Sequence, residues 1–352
     1  MADESVIDKV HDLSDLELAL LLCLIAKEHC LLSTPNNATD TLAEELRLVA
    51  KKVFGLSCVV VECDHNTTLD DFASALLLPH DRTPSPRQTF ENSSGYFGRA
   101  SLSRIAASPA ISLRIANVVV VKNLNLAPQA VQIQALELLR TKRIYTRTAV
   151  QAAPKQFLFV PVIAAENGGK ARVASHLNDA FFVAHWHDPE DGFVNLEENE
   201  GDDTASLSSV VKGGIPADIS RDPFISEAEI AHLSKLAAEV QVDIDVTRYQ
   251  MNIVSFLRMH RAVADGITST ATQHLGLLMR CLSPLHKSNF VTPALVDIAT
   301  RKVYLHRIRM TEPEKERSMQ WGSKLEAVQA VLKDIGPEEV IDDVLSMVTA
   351  PL

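Results

Sequence analysis

The stretch that most constrains this chain is Ala116 to Pro128, A-N-V-V-V-V-K-N-L-N-L-A-P. Four consecutive valines, Val118 to Val121, are too few for a helix of their own. β-Branching and full apolarity on both faces mark a strand buried in the middle of a sheet. The run ends in Lys122-Asn123-Leu124-Asn125, and after Pro128 an amphipathic helix is predicted over Gln129 to Lys142, with Val131, Ala135, Leu138 and Leu139 at helical spacing. A buried strand that hands polar side chains to its carboxyl end is where α/β proteins place ligand chemistry.

At 352 residues the chain is long enough for two domains and a large core. Its formal net charge of -11 argues against life on a phosphate backbone, which needs a basic face, so no nucleic-acid partner is expected. No apolar run approaches membrane-spanning length, so no membrane partner is expected either. The acidic start, Met1-Ala2-Asp3-Glu4, predicts neither a signal peptide nor a transit peptide. The five cysteines include no C-x-x-C pair and read as buried free thiols, which points to a reducing compartment, cytosol or nucleus.

Along the chain, helices are predicted over Asp15–Glu28, capped by Ser14 or Asp15, over Thr41–Phe54, closed by Gly55, and over Leu69–Leu78, capped near Thr68. Strands are predicted near Cys30, over Ser57–Cys63, at the valine run, over Phe157–Ala165 and at Phe181–His185. Pro79 to Ser94 is polar and reads as a mobile loop, and its Thr83-Pro84 and Ser85-Pro86 are acceptors for proline-directed phosphorylation if it is modified at all. A short helix is predicted near Ala100–Ala107 and a hairpin arm over Arg143–Ala149. Asp188 to Asp203 is strongly acidic and is expected to be poorly ordered. Beyond Pro223 only helices are predicted: Ser226–Glu239 with a Ser226-x-x-Glu229 capping box, Val246–Ala264, Thr270–Ser283, Pro293–His306, Glu326–Ile335 and Pro337–Met347. The expected organisation is an α/β core over residues 1–187, an acidic flexible linker over 188–223, a helical lid over 224–310 and a helical tail over 311–352.

Strand, polar turn and helix at residues 30–54 have the layout of a P-loop, whose working form is G-x-x-x-x-G-K-[ST]. Laid over Ser33 to Asp40, the two glycines are Ser33 and Ala38, the lysine is Thr39 and the Mg²⁺-binding hydroxyl is Asp40. The motif alone would not identify one. His185-Trp186-His187-Asp188 has the look of part of a zinc site but lacks a matching third ligand set, and a strand edge meeting an acidic loop accounts for it. The chain has no G-x-S-x-G elbow.

The order of these segments resembles the AAA+ ATPases of the MoxR and magnesium-chelatase I-subunit group. Phe290-Val291-Thr292-Pro293-Ala294-Leu295-Val296 is similar to that group's Y-V-T-P-x-D-V, and Val303-Tyr304-Leu305-His306-Arg307-Ile308 to its V-L-x-H-R-[IL]. His29-Cys30-Leu31-Leu32 and Thr41-Leu42-Ala43 match H-x-L-L and T-L-A around the turn. Val121 to Arg140 resembles the Walker-B strand and the helix after it, D-E-[IV]-N then L-L-E. Ile163 to Asn167 resembles the sensor-1 A-T-x-N, and Leu177-Asn178-Asp179-Ala180-Phe181 resembles L-x-D-R-F. The resemblance implies a P-loop NTPase-like parallel sheet with an all-α lid.

The departures fall on the chemistry. The phosphate lysine is Thr39, the two acids that hold Mg²⁺ and orient water are Lys122 and Asn123, the arginine of L-x-D-R-F is Ala180, and the lid's sensor-2 arginine falls at Thr270. Phosphoryl transfer is catalysed mostly by positioning and charge neutralisation. The resemblance therefore implies a vestigial nucleotide site at Thr39, Asp40, Thr41, Lys122, Asn123 and Asn167, with no catalytic residue, no metal site and no cofactor. Lys122 is expected either to replace the ion's charge or, as the favoured reading, to pair with Asp40. The expected function is that of an interaction or regulatory module whose partner is another AAA+ subunit or itself. The alternative is a magnesium-chelatase-type ATPase using ATP and magnesium to drive remodelling or metal insertion, and a third reading is a phosphoregulated adaptor working through the Pro79–Ser94 loop.

Overall fold

The computed structural model describes residues 2–79, 113–146, 149–167, 169–197 and 223–351. The expected phosphorylation sites, the helix at Ala100–Ala107 and residues 198–203 of the acidic stretch lie outside the described residues.

Five parallel strands form one sheet: β1 (Cys30–Thr34), β2 (Cys58–Glu62), β5 (Val118–Lys122), β8 (Leu158–Ala164) and β9 (Val183–Trp186), in the spatial order β2-β5-β8-β1-β9. Their register pairs Glu62 with Lys122 and Lys122 with Val162. The valine run is buried on both faces because side chains alternate along a strand. Val118 and Val120 enter the core on one side of the sheet, and Val119 and Val121 enter the core on the other. β8 divides the same way, Leu158, Val160 and Val162 against Phe159 and Ile163. Each buried valine contributes roughly 1.5–3 kcal/mol of burial, which fixes the strand in register.

On one side lies α2 (Asp15–Ala26), which starts at a reciprocal Ser14–Glu17 capping box and is buried over most of its circumference. The reason is its position between the sheet and the carboxyl-terminal helices. α7 (Glu227–Glu239) and α9 (Ser269–Leu285) both pack on it, and one apolar core runs from Leu32 and Val160 through Leu20 to Leu233, Leu275 and Val303. The predicted lid helices therefore share a core with the sheet. With α7 and α9 stand α8 (Ile244–Met259) and α10 (Pro293–Tyr304), and the tail carries α11 (Leu325–Leu332) and α12 (Pro337–Met347). On the sheet's other side lie α4 (Leu69–Ala75), α5 (Gln129–Thr141) and α6 (Ser175–Ala180).

Several local expectations are corrected. The helix predicted over Val246–Ala264 ends at Met259, and Val263–Asp265 pairs antiparallel with Arg309–Met310, so the part beyond Pro223 is not helices alone. The helix predicted over Leu69–Leu78 ends at Ala75, and Leu77–Pro79 (β3) pairs antiparallel with Leu113–Ile115 (β4). The helix predicted from Thr41 starts at Thr39 (α3, Thr39–Leu48), after a 3-10 turn over Asn36–Ala38, and finishes in a π-helical turn, Val49–Val53. Finally, Asp188–Glu197 is not loose. Asn195 is buried, and its N–H and Nδ2 donate to Glu45 Oε1 at 3.0 and 2.9 Å, while Leu196 N–H donates to Glu45 Oε2 at 2.9 Å. Asn195 Nδ2 also lies 2.9 Å from Glu17 Oε1. The charges of this stretch stay outside while one amide and two backbone N–H groups do the docking. The hairpin predicted at Arg143–Ala149 is Arg143–Tyr145 (β6) paired with Val150–Ala152 (β7).

The carboxyl-terminal helices are locked to the sheet by Arg307. Its guanidinium is buried, donates from Nε to Asp179 Oδ1 at 3.3 Å and from Nη2 to the Asp179 carbonyl at 3.1 Å, and reaches the carbonyls of Phe181, Phe182 and Val303. Burial pulls its pKa down to about 10, with Asp179 opposing. Beside it Asn178 Nδ2 donates to the His306 carbonyl at 2.7 Å.

Candidate functional site: the carboxyl edge of the sheet

β1 ends at Thr34 and hands over to the Asn36–Ala38 turn and α3. Thr39 is buried and its hydroxyl donates to the Asn36 carbonyl at 3.1 Å, so the side chain is tied into its own turn. Asp40 and Thr41 follow in the first turn of α3, both exposed. An acid at that position suits the positive end of the helix dipole.

β5 brings Lys122 to the same edge. Its side chain is only 13% exposed, and Nζ lies 2.7 Å from Asp40 Oδ1 and 3.2 Å from Glu62 Oε2. The hydrogen bond to Asp40 raises the ammonium above the ordinary lysine range, with Glu62 adding to the rise and partial burial opposing it. One ammonium between two carboxylates leaves the cluster with a net charge of -1. The structure thus brings Asp40 and Lys122 into direct contact and adds Glu62, which the sequence reading missed. Its signal was present: Val59-Val60-Val61-Glu62 and Val119-Val120-Val121-Lys122 share one pattern and are paired residue for residue in neighbouring strands.

Asn123 occupies the left-handed backbone region at φ 55°, which asparagine tolerates better than most residues. Its N–H donates to the Val162 carbonyl at 3.0 Å, and its carbonyl accepts from Leu126 N–H at 2.9 Å. It shapes the exit turn of β5. Asn167, beyond the end of β8, is exposed, and its Oδ1 accepts from Lys170 N–H at 3.1 Å. Its amide is used within its own turn.

The two positions at which the resemblance expects arginines come together elsewhere. Ala180 and Thr270 line one cavity of about 200 Å³ with Arg140, His176, Asp179 and His274. Asp179 is already engaged by Arg307 and by the Thr268 hydroxyl at 2.7 Å. Among the described residues no three His, Cys, Asp or Glu side chains converge as a metal ion requires, and no helix is long and apolar enough to cross a membrane.

A five-stranded parallel sheet in this order, a turn and helix after β1, and helices packed beyond β9 can be compared with solved structures. The putative ATPase from Cytophaga hutchinsonii superposes with a TM-score of 0.63 at 13% identity, over 99% of this chain and 94% of that one. The two chains share an α/β fold of P-loop NTPase type. A full-length MCM homolog from Methanopyrus kandleri superposes more loosely, with a TM-score of 0.46 at 11% identity over 86% of this chain and 58% of that one. No family model matches the chain, and no curated protein matches it in sequence. The P-loop NTPase-like α/β fold expected from the sequence is therefore observed, on evidence of shape rather than of sequence.

Proposed function

We propose that this chain is an AAA+-type module that works through protein contacts and not through ATP turnover, as a regulatory or interaction subunit beside an active AAA+ subunit or among its own copies. The observation that carries the reading is the Lys122 bridge to Asp40 and Glu62. A bound nucleoside triphosphate brings about four negative charges, which a working site offsets with lysine, Mg²⁺ and arginine. The residues here do not fit that load. Thr39 offers no cation and its hydroxyl faces inward, Asp40 adds a carboxylate, and Lys122 stands where the resemblance expects the Mg²⁺-binding acid. A lysine already held by two carboxylates is a poor counter-charge for phosphate. The same bridge gives the edge a structural use, pinning the first turn of α3 to the ends of β2 and β5. Five free cysteines suit a reducing compartment, cytosol or nucleus.

The rival reading is a magnesium-chelatase-type ATPase. Calorimetric titration of the full chain with ATP and Mg²⁺ separates the two. The expected result is no saturable binding in the micromolar range and no turnover above background. Micromolar binding together with turnover abolished by Lys122→Ala would restore the rival.

A further inference from the structure

His29 stands one residue before β1, and the register that pairs Leu32 with Val162 sets it opposite Phe159 of β8. It is 2% exposed. Its Nδ1 accepts the Phe159 N–H at 3.2 Å. Its Nε2 lies 2.6 Å from Nζ of Lys142, the residue that closes α5 in the left-handed region at φ 55°.

The protons of this pair are countable. A backbone N–H only donates, so His29 Nδ1 carries no proton. A neutral imidazole then carries its one proton on Nε2. An ammonium has three donors and no acceptor, so a charged Lys142 would set donor against donor at 2.6 Å. The contact is satisfied when Nε2–H donates to the lone pair of an uncharged amine. The surroundings favour that state. Burial lowers the pKa of Lys142, with Glu28 opposing, and burial holds His29 well below the ordinary histidine range. Glu28 is itself partly buried, which raises its carboxyl and weakens its pull on the lysine. The Phe157 ring stands 5.5 Å from Nζ and faces an amine N–H as well as it faces an ammonium. Lys142 is half-buried and keeps part of its surface in solvent.

An uncharged lysine amine is a nucleophile for carbonyl carbon. The histidine selects among the products. Acylation or carbamate formation turns Nζ into an amide-type nitrogen with no free lone pair, which strands the buried Nε2–H. An imine nitrogen keeps its lone pair and goes on accepting that proton's hydrogen bond. We propose that Lys142 is a site of reversible imine formation with aldehydes. Rotation about the Cδ–Cε bond frees the Nζ lone pair, which attacks the aldehyde carbon. A C–N bond forms, and one amine proton passes through solvent to the carbonyl oxygen, giving a carbinolamine. That oxygen then leaves as water with the second amine proton, and the C=N bond remains. Nothing is oxidised or reduced. The proposal is independent of whether ATP binds.

Treatment of the full chain with butanal and sodium cyanoborohydride tests it, because the reductant traps each imine as a stable secondary amine. Peptide mass spectrometry reads the rate at every lysine, and Lys170 and Lys235, both exposed, serve as internal controls. At pH 7 an ordinary lysine is about one part in 2,500 free amine. Lys142 should therefore be labelled at least about ten times faster than the controls. The ratio should fall as pH rises towards 9, about tenfold per unit, because the controls gain free amine and Lys142 already has it. His29→Phe keeps a ring against Phe157 and removes Nε2–H. In that variant, its fold checked by circular dichroism, the ratio should no longer change with pH. The wild-type pH course decides the matter alone if the variant does not fold. No label at Lys142, a wild-type ratio constant with pH, or a ratio that falls in the same way in folded His29→Phe overturns the proposal. So does a ¹³C-bicarbonate carbamate signal lost in Lys142→Met, without a trapped imine at Lys142.

Discussion

Lys122 Nζ stands 2.7 Å from Asp40 Oδ1, a contact that closes 82 residues of chain at the carboxyl edge of the sheet. Glu62, one strand away, forms a second ion pair with the same ammonium at 3.2 Å. In an active P-loop enzyme this is where phosphate and metal meet protein, and here the protein's own charges meet.

Lys122→Ala should lower stability by about 1 kcal/mol. Both acids are more exposed than the lysine, so solvent screens the attraction and holds the pair near the upper end of the surface range. The loss should shrink in high salt. Its pH dependence follows from the raised lysine pKa: the contribution is fully present below the ordinary lysine value and disappears as pH rises through the higher folded value. Urea unfolding of wild type and variant at low and high salt checks this, and an equal loss at both concentrations would count against an electrostatic role.

The sheet was legible because valine runs report burial on both faces without help from the rest of the chain. The Lys122–Asp40 contact was legible because the turn and the strand end each carried a charge where a P-loop layout brings them together. Glu62 was missed although its strand repeats the pattern of the Lys122 strand, since pairing partners are set by strand order and sequence does not print strand order. Leu76-Leu77-Leu78 extends an apolar helix pattern, yet Leu77 pairs with Ile115 and Leu78 with Arg114, a choice made by tertiary contact. The acidic stretch misled for a related reason. Net charge predicted repulsion, while docking depends on the Asn195 amide and the backbone N–H groups of Asn195 and Leu196 finding two distant glutamates.

Glu45 holds that docked segment. Glu45→Ala strips the acceptors from three N–H groups, two on Asn195 and one on Leu196, of which the Asn195 pair is buried. The expected cost is about 2–3 kcal/mol, because buried donors left without partners carry their full desolvation penalty. Hydrogen exchange is the direct measurement: the amides of Asn195 and Leu196 should speed up selectively, while those of β5 stay protected. Glu45→Gln keeps an acceptor oxygen and should show a smaller change.

Arg307 is the costliest single side chain to lose. Its removal leaves Asp179 without its cation and takes a donor from the carbonyls of Asp179, Phe181 and Phe182, at the junction of sheet and carboxyl-terminal helices. Arg307→Met should cost about 3–5 kcal/mol, the usual penalty for breaking a buried pair from one side. Adding Asp179→Asn should recover part of that loss, because the stranded charge goes with it. A double-mutant cycle by denaturant unfolding checks this, and strictly additive losses would refute the pairing.

Acid should unfold this protein through its histidines. His29, His185, His187, His274 and His306 all have pKa values lowered by burial, to about 4 for His185 and His274. In the unfolded chain each binds a proton near the ordinary histidine value of about 6.5. Between that value and the folded ones, the unfolded state binds more protons. Stability therefore rises with pH across this window and falls as pH drops from about 6.5 towards 4. His274→Gln removes one titrating group from the set, and whatever it does to the Arg307 contact at neutral pH, it should flatten the slope of stability against pH by up to one proton. Denaturant midpoints measured every half unit from pH 4.5 to 7.5 give that slope directly, and an identical slope for wild type and variant would mean that His274 titrates normally in the folded protein.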